Sequence, residues 1–142
     1  MPIYTHRRDL PPSKFTKCSL EHSLTADGCV IVDSTVRNSI IGVRTIVEEG
    51  CELDGVVCMG ADYYETVGRM HARQSRGDPK IGIGKGTRVR GAIIDKNARI
   101  GENCSIGYED ESRGDADYPT HYVRDGIIVI PKNGVVPDGT VI

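Results

Sequence analysis

IGIGKGTRVRGAIIDKNARIGENCSIG, residues 81–107, repeats with a period of six. Ile83, Val89, Ile94, Ile100 and Ile106 mark the repeat, and only the step from Val89 to Ile94 is shortened to five. Two positions ahead of several of these aliphatics stands a small residue: Thr87, Ala98, Cys104. Gly84, Gly101 and Gly107 follow directly. An amphipathic helix would repeat every 3.6 residues and a half-buried strand every two, so neither explains the pattern. A hexapeptide period is the signature of a parallel β-helix, in which each short strand turns one aliphatic inward and three strands complete a coil. The expected fold class is therefore all-β.

The same period runs through Cys18–Cys58, with Leu24, Val30, Val36, Ile41, Val47 and Leu53 as the expected inward residues. Ser34, Thr45 and Cys51 take the small position. It returns at Ile130, Val136 and Ile142, behind Gly134 and Thr140, and an ending in register at Ile142 reads as the end of the protein. VRNSIIGVRTIV (36–47) also aligns without gaps on VRGAIIDKNARI (89–100), short step included. Two segments that share a register defect point to stacked repeats, each burying its apolar edge against the next. An antiparallel sandwich of short strands would alternate but would not sustain a period of six.

Two stretches break the repeat and are expected as long loops, at about 60–80 and 107–126. The first is polar and rich in ionisable groups; the second carries Glu109, Asp110, Glu111, Asp115 and Asp117 without calcium-loop spacing. Residues 1–17 contain Pro11-Pro12 and several basic residues, which favours an extended linker arm. The chain thus divides into an arm, 1–17, and a β-helix domain, 18–142.

At 142 residues, with a net charge of −2, the chain has the size of one domain and no strong field for nucleic acid or an anionic membrane. Trp is absent and Phe occurs once, which suits a narrow core of branched aliphatics. No apolar run approaches a membrane span. The five cysteines are odd in number and form no CxxC pair, so reduced, packed thiols in a cytoplasmic setting are expected.

No catalytic or metal-binding constellation emerges. His6, His22, His71 and His121 are scattered, and IGIGKG owes its glycines to the hexad rather than to a nucleotide loop. Isolated cations beside tight turns are the notable chemistry: Lys96 between Asp95 and Asn97, Lys132 in IVIPKNG, and Arg7, Arg8 and Lys14 on the arm. Charge-assisted hydrogen bonds contribute about 1.5–3 kcal/mol each, so two or three converging cations can hold a small phosphorylated ligand.

Four motifs carry a resemblance across nearly the whole chain: PIYT with R-x-L-P-P-S-K in the arm, MGADYYE (59–65), PKIGIGKGTRVRGAIIDKNARIGEN (79–103) and YVRDGIIVIPKNGVVPDG (122–139). The chain resembles the C-terminal part of glucose-1-phosphate adenylyltransferase (ADP-glucose pyrophosphorylase) of the cyanobacterial and plant type. The resemblance implies a left-handed β-helix that contributes to a homotetramer and to allosteric control, in the cytoplasm or, in a plant, the plastid. It implies as partner a nucleotidyltransferase catalytic domain, which makes ADP-glucose and pyrophosphate from ATP and glucose 1-phosphate for glycogen or starch synthesis. Magnesium, ATP and the catalytic residues belong to that other domain, so none is carried over. The family's effector residues, for 3-phosphoglycerate and phosphate, match Lys96 and Lys132, and the arginine ahead of LPPSK is matched to Arg7. Segments 66–80 and 108–119 depart from the family pattern. The alternative is a free-standing hexapeptide-repeat acyltransferase using acetyl-CoA, with His71 or His121 as its base.

Overall fold

The computed structural model describes residues 7–109 and 114–142. The first coil comprises β1 (Lys14–Thr16), β2 (Ser19–Glu21) and β3 (Leu24–Thr25); the second, β4 (Val30–Val32), β5 (Thr35–Arg37) and β6 (Ile40–Ile41). In the third, β7 (Ile46–Val47) is followed by β8 (Glu52–Cys58), a longer strand that covers two faces by bending at Gly55. After α1 (Val67–Arg76), the fourth coil repeats this with β9 (Gly82–Ile83) and β10 (Arg88–Ile94). The fifth holds β11 (Arg99–Ile100) and β12 (Ser105–Ile106). An excursion through β13 (Ala116–Asp117) and β14 (Tyr122–Arg124) leads to β15 (Ile127–Ile130), and β16 (Val135–Val136) opens the last coil.

Parallel pairing stacks the coils and sets three interior columns. The first is Phe15, Ile31, Val47, Ile83, Ile100 and Val136. The second is Leu20, Val36, Leu53, Val89 and Ile106. The third is Thr25, Ile41, Cys58, Ile94 and Ile130. From Ile31 onward every aliphatic in these columns is buried, and each contributes about 1.5–3 kcal/mol. Phe15 and Leu20 are partly exposed because, among the described residues, no further coil stacks below the first. The expected inward residues hold from Val36 to Ile142.

Leu24 and Val30 are corrections. Leu24 pairs with Ile40, and both face outward at 53% and 49% exposure; Thr25 and Ile31 take the interior positions. The first coils step Phe15–Leu20–Thr25–Ile31–Val36–Ile41, so short steps outnumber the single one expected. The first coil also begins at Lys14, inside the stretch read as arm.

The small corner residues have a shared task. Thr87 Oγ1 donates to the Gly101 carbonyl (2.8 Å) and accepts from the Cys104 amide (3.1 Å). Ser34 serves Glu48 O and Cys51 N in the same way, and the thiols of Cys51 and Cys104 donate to carbonyls of the next coil. Each links successive coils and satisfies backbone groups that the turn would leave unpaired in the interior. Burial pushes the Cys51 thiol up to about 11 despite hydrogen bonds to its sulfur, so it stays protonated and unreactive at neutral pH. All five cysteines are free. Thr87→Val keeps the shape, orphans a buried amide and a buried carbonyl, and is expected to cost about 2 kcal/mol in urea unfolding.

Both interruptions are more ordered than loops. Residues 67–76 form α1, with Thr66 accepting from the Arg69 amide (3.3 Å) and left-handed Gly77 (φ 73°) closing it. No residue of α1 is buried, so no apolar period marks it in the sequence. The second interruption returns as an antiparallel β13–β14–β15 meander, with Arg124 on Asp117 (2.6 Å) and Asp115 accepting from the Asp125 amide. Asp110 and Glu111 lie outside the described residues.

Candidate anion-binding site

The corner after the third face places one residue per coil in a vertical row: Asp27, Val43, Gly60, Lys96, Lys132. The register follows from amide-to-carbonyl bonds between coils, Arg44 to Asp27, Ala61 to Val43, Asn97 to Gly60 and Asn133 to Lys96, all 2.9–3.1 Å. Arg44, Asn97 and Asn133, which come next, are left-handed (φ 59–61°), a conformation that asparagine tolerates best after glycine. Lys96 and Lys132 therefore sit on adjacent coils, about 4.8 Å apart along the axis at the backbone.

Gly60 is the position where the chain leaves the coil. Its φ is 96°, and a Cβ there would lie 2.3 Å from the Val43 carbonyl, so no other residue fits. Two residues on, Asp62 turns back over the row. Buried Asn97 fixes it from both ends, accepting from the Asp62 amide (2.8 Å) and donating to its carboxylate (3.0 Å). That carboxylate lies 3.4 Å from Lys96 Nζ and 3.8 Å from Lys132 Nζ. The Asn97 bond, aided by the two ammonium groups, holds the Asp62 carboxyl below the usual carboxylate range, so it is ionised at neutral pH. All three charged groups are about half-exposed. Two cations share one carboxylate at a water-accessible corner, and Asp95, whose Oδ1 accepts from the Lys96 amide at 2.6 Å, adds a second carboxylate beside them.

The two lysines named from sequence are thus brought together, and Arg7 is not brought to them. Arg7 is 94% exposed and faces Asp9 at 4.0 Å. The arm runs past Gly28 through Leu10, three coils from the Lys96 corner, which is about 14 Å. Counting back from Leu10, moreover, an R-x-L-P-P-S-K pattern places its arginine at Arg8, one position beyond Arg7. Arg8 is also exposed.

Sequence reasoning missed the partners. Asp62 stands in MGADYYE and Asn97 in IIDKNARIG, both quoted as family motifs, but their contact spans 35 residues and needs the register of the coils. A second missed group fastens the α1 segment. Glu65 is nearly buried and receives Arg99 on one oxygen, Arg73 on the other (3.1 Å), and the Ile81 amide (3.2 Å). Burial acts to raise its pKa, but Arg99, the amide and Arg73 outweigh it, and the net shift is downward. Arg99 also donates to the Pro79 carbonyl (3.0 Å). Beneath α1 this leaves a cavity of about 500 Å³ lined in part by Ile46, Tyr63, Tyr64 and Met70, which neither lysine touches.

His71 lies exposed on α1, and His121 is buried with its ring stacked on Tyr118 at 4.6 Å. Among the described residues, no three His, Cys, Asp or Glu side chains group as metal ligands.

Residues 8–141 match the family model described as GLGC left-handed parallel beta-helix domain. The chain belongs to that family. It is the C-terminal β-helix domain family of glucose-1-phosphate adenylyltransferase, and the match gives the coils their left hand. The family match begins at residue 8, in keeping with the pairing of β1 at Lys14.

Proposed function

We propose that the chain is the regulatory and assembly domain of a glucose-1-phosphate adenylyltransferase and that a small phosphorylated effector binds across Lys96 and Lys132. The observation that carries this reading is the Asp62 carboxylate between the two ammonium groups, at 3.4 and 3.8 Å. A carboxylate already fits between the two ammonium groups, which supports the binding of a phosphoryl group at that position. A phosphoryl group there would engage two coils at once. Bound simultaneously by a catalytic domain, it would favour one arrangement of the two domains over another by its difference in affinity for each. Arg7 and Arg8, both exposed on the arm, are not counted among the ligands of this corner.

The reading is tested by titrating the chain with inorganic phosphate in a calorimeter at low ionic strength. Saturable binding at one site per chain is expected. Lys132→Gln removes one charge-assisted bond and is expected to weaken it roughly tenfold or more. Equal affinity in the two proteins overturns the site.

A further inference from the structure

We infer that Asp62 is an internal competitor for the anion site and restricts it to ligands of higher charge than a carboxylate. This rests on the reading of Lys96 and Lys132 as an anion site. Asp62 is not placed by the lysines alone: Asn97 holds both its amide and its carboxylate, and Asn97 is itself buried in the coil. Gly60, which no residue with a Cβ can replace, aims the segment at this corner. The carboxylate is thus tethered to the lysines through a rigid turn, and a tethered group acts at an effective concentration of about millimolar or more.

A free monoanionic carboxylate offers the same charge and the same two oxygens as Asp62. It cannot displace its tethered equivalent at ordinary concentrations. A phosphoryl dianion brings twice the charge and three acceptor oxygens, so it can draw both ammonium groups away from Asp62. Asp62 is ionised throughout the neutral range, so the competition is always present. The consequence is selectivity obtained by occupying the site: affinity for phosphate is lowered, and affinity for simple carboxylates is lowered much further.

The test uses the complete 142-residue chain, Asp62→Asn and Lys132→Gln, titrated with inorganic phosphate and separately with acetate at pH 8 and low salt. Asp62→Asn preserves the size of the side chain and an oxygen for Asn97. It is expected to bind phosphate about tenfold more tightly than the wild type and to gain measurable acetate binding that the wild type lacks. If Lys132→Gln loses phosphate while Asp62→Asn and wild type bind it equally, the competitor role is overturned and the anion site stands. If Asp62→Asn binds phosphate more weakly, Asp62 positions the lysines instead, and the proposal is likewise overturned. If no protein binds phosphate, both the site and its competitor fall.

Discussion

Replacing Glu65 by Ala is expected to destabilise the domain by about 3–4 kcal/mol. Glu65 is 8% exposed, and Arg73 and Arg99 are each 12% exposed. Removing the carboxylate leaves two guanidinium groups close together and largely out of water, with the Ile81 amide unpaired. Surface ion pairs such as Lys85 with Glu49 contribute far less, because water already solvates both partners. Arg73 is the most enclosed side chain of α1, so losing the triad also unfastens the helix from the coils. Urea unfolding should show the loss, and amide exchange across Val67–Arg76 should accelerate more than exchange in the coils. A midpoint within about 1 kcal/mol of wild type would refute this role.

The same carboxylate predicts a pH dependence. Its folded pKa lies below the ordinary glutamate value of about 4.3. The unfolded chain therefore binds the proton more readily than the folded one. The triad's stabilisation is complete above the unfolded pKa and is lost as pH falls through the folded value. Wild type and Glu65→Ala should thus draw together in stability as pH falls below the ordinary glutamate range, and remain separated at neutrality.

The second large effect concerns binding. Lys96→Glu puts a carboxylate beside Asp62, makes the corner negative and adds repulsion to the loss of a bond. Phosphate affinity is expected to fall about a hundredfold, the combined result of one lost charge-assisted contact and one added like charge. Folding stability should change by less than about 1 kcal/mol, because Lys96 is 40% exposed and its backbone bonds do not depend on its side chain. Equilibrium dialysis against labelled phosphate measures the first quantity and urea unfolding the second. Retained binding would remove Lys96 from the site.

The interior of the coils was legible because a β-helix admits one aliphatic per short strand, and that restriction writes a period of six into Val36–Leu53 and Ile83–Ile106. It was misread only at Leu24 and Val30. There the first coil steps by five twice, and outward-facing Leu24 is as apolar as an interior residue; its stacked neighbour Ile40 faces outward too. Helix α1 left no trace because periodicity reports burial, and it buries nothing. Its signals were the caps, Thr66 and Gly77. The lysine pair was legible as two cations at comparable turns, and their convergence follows from the repeat. Asp62, Asn97 and the Glu65 triad were not legible, since the Asp62–Asn97 and Glu65–Arg99 contacts join the inserted segment to a coil more than 30 residues away and depend on how the insertion folds back.

The central claim is that an anion binds at one corner of the β-helix, displacing Asp62 from two lysines on adjacent coils. The most direct measurement is a phosphate titration followed by NMR of the side-chain carboxylates and lysine ammonium groups in the wild-type chain. The expected result is one saturable set of shifts at Asp62, Lys96, Lys132 and Asn97, with Arg7 and the Lys85–Glu49 pair unmoved. Saturable shifts confined to the arm or to the α1 segment, with Asp62 unchanged, would contradict it.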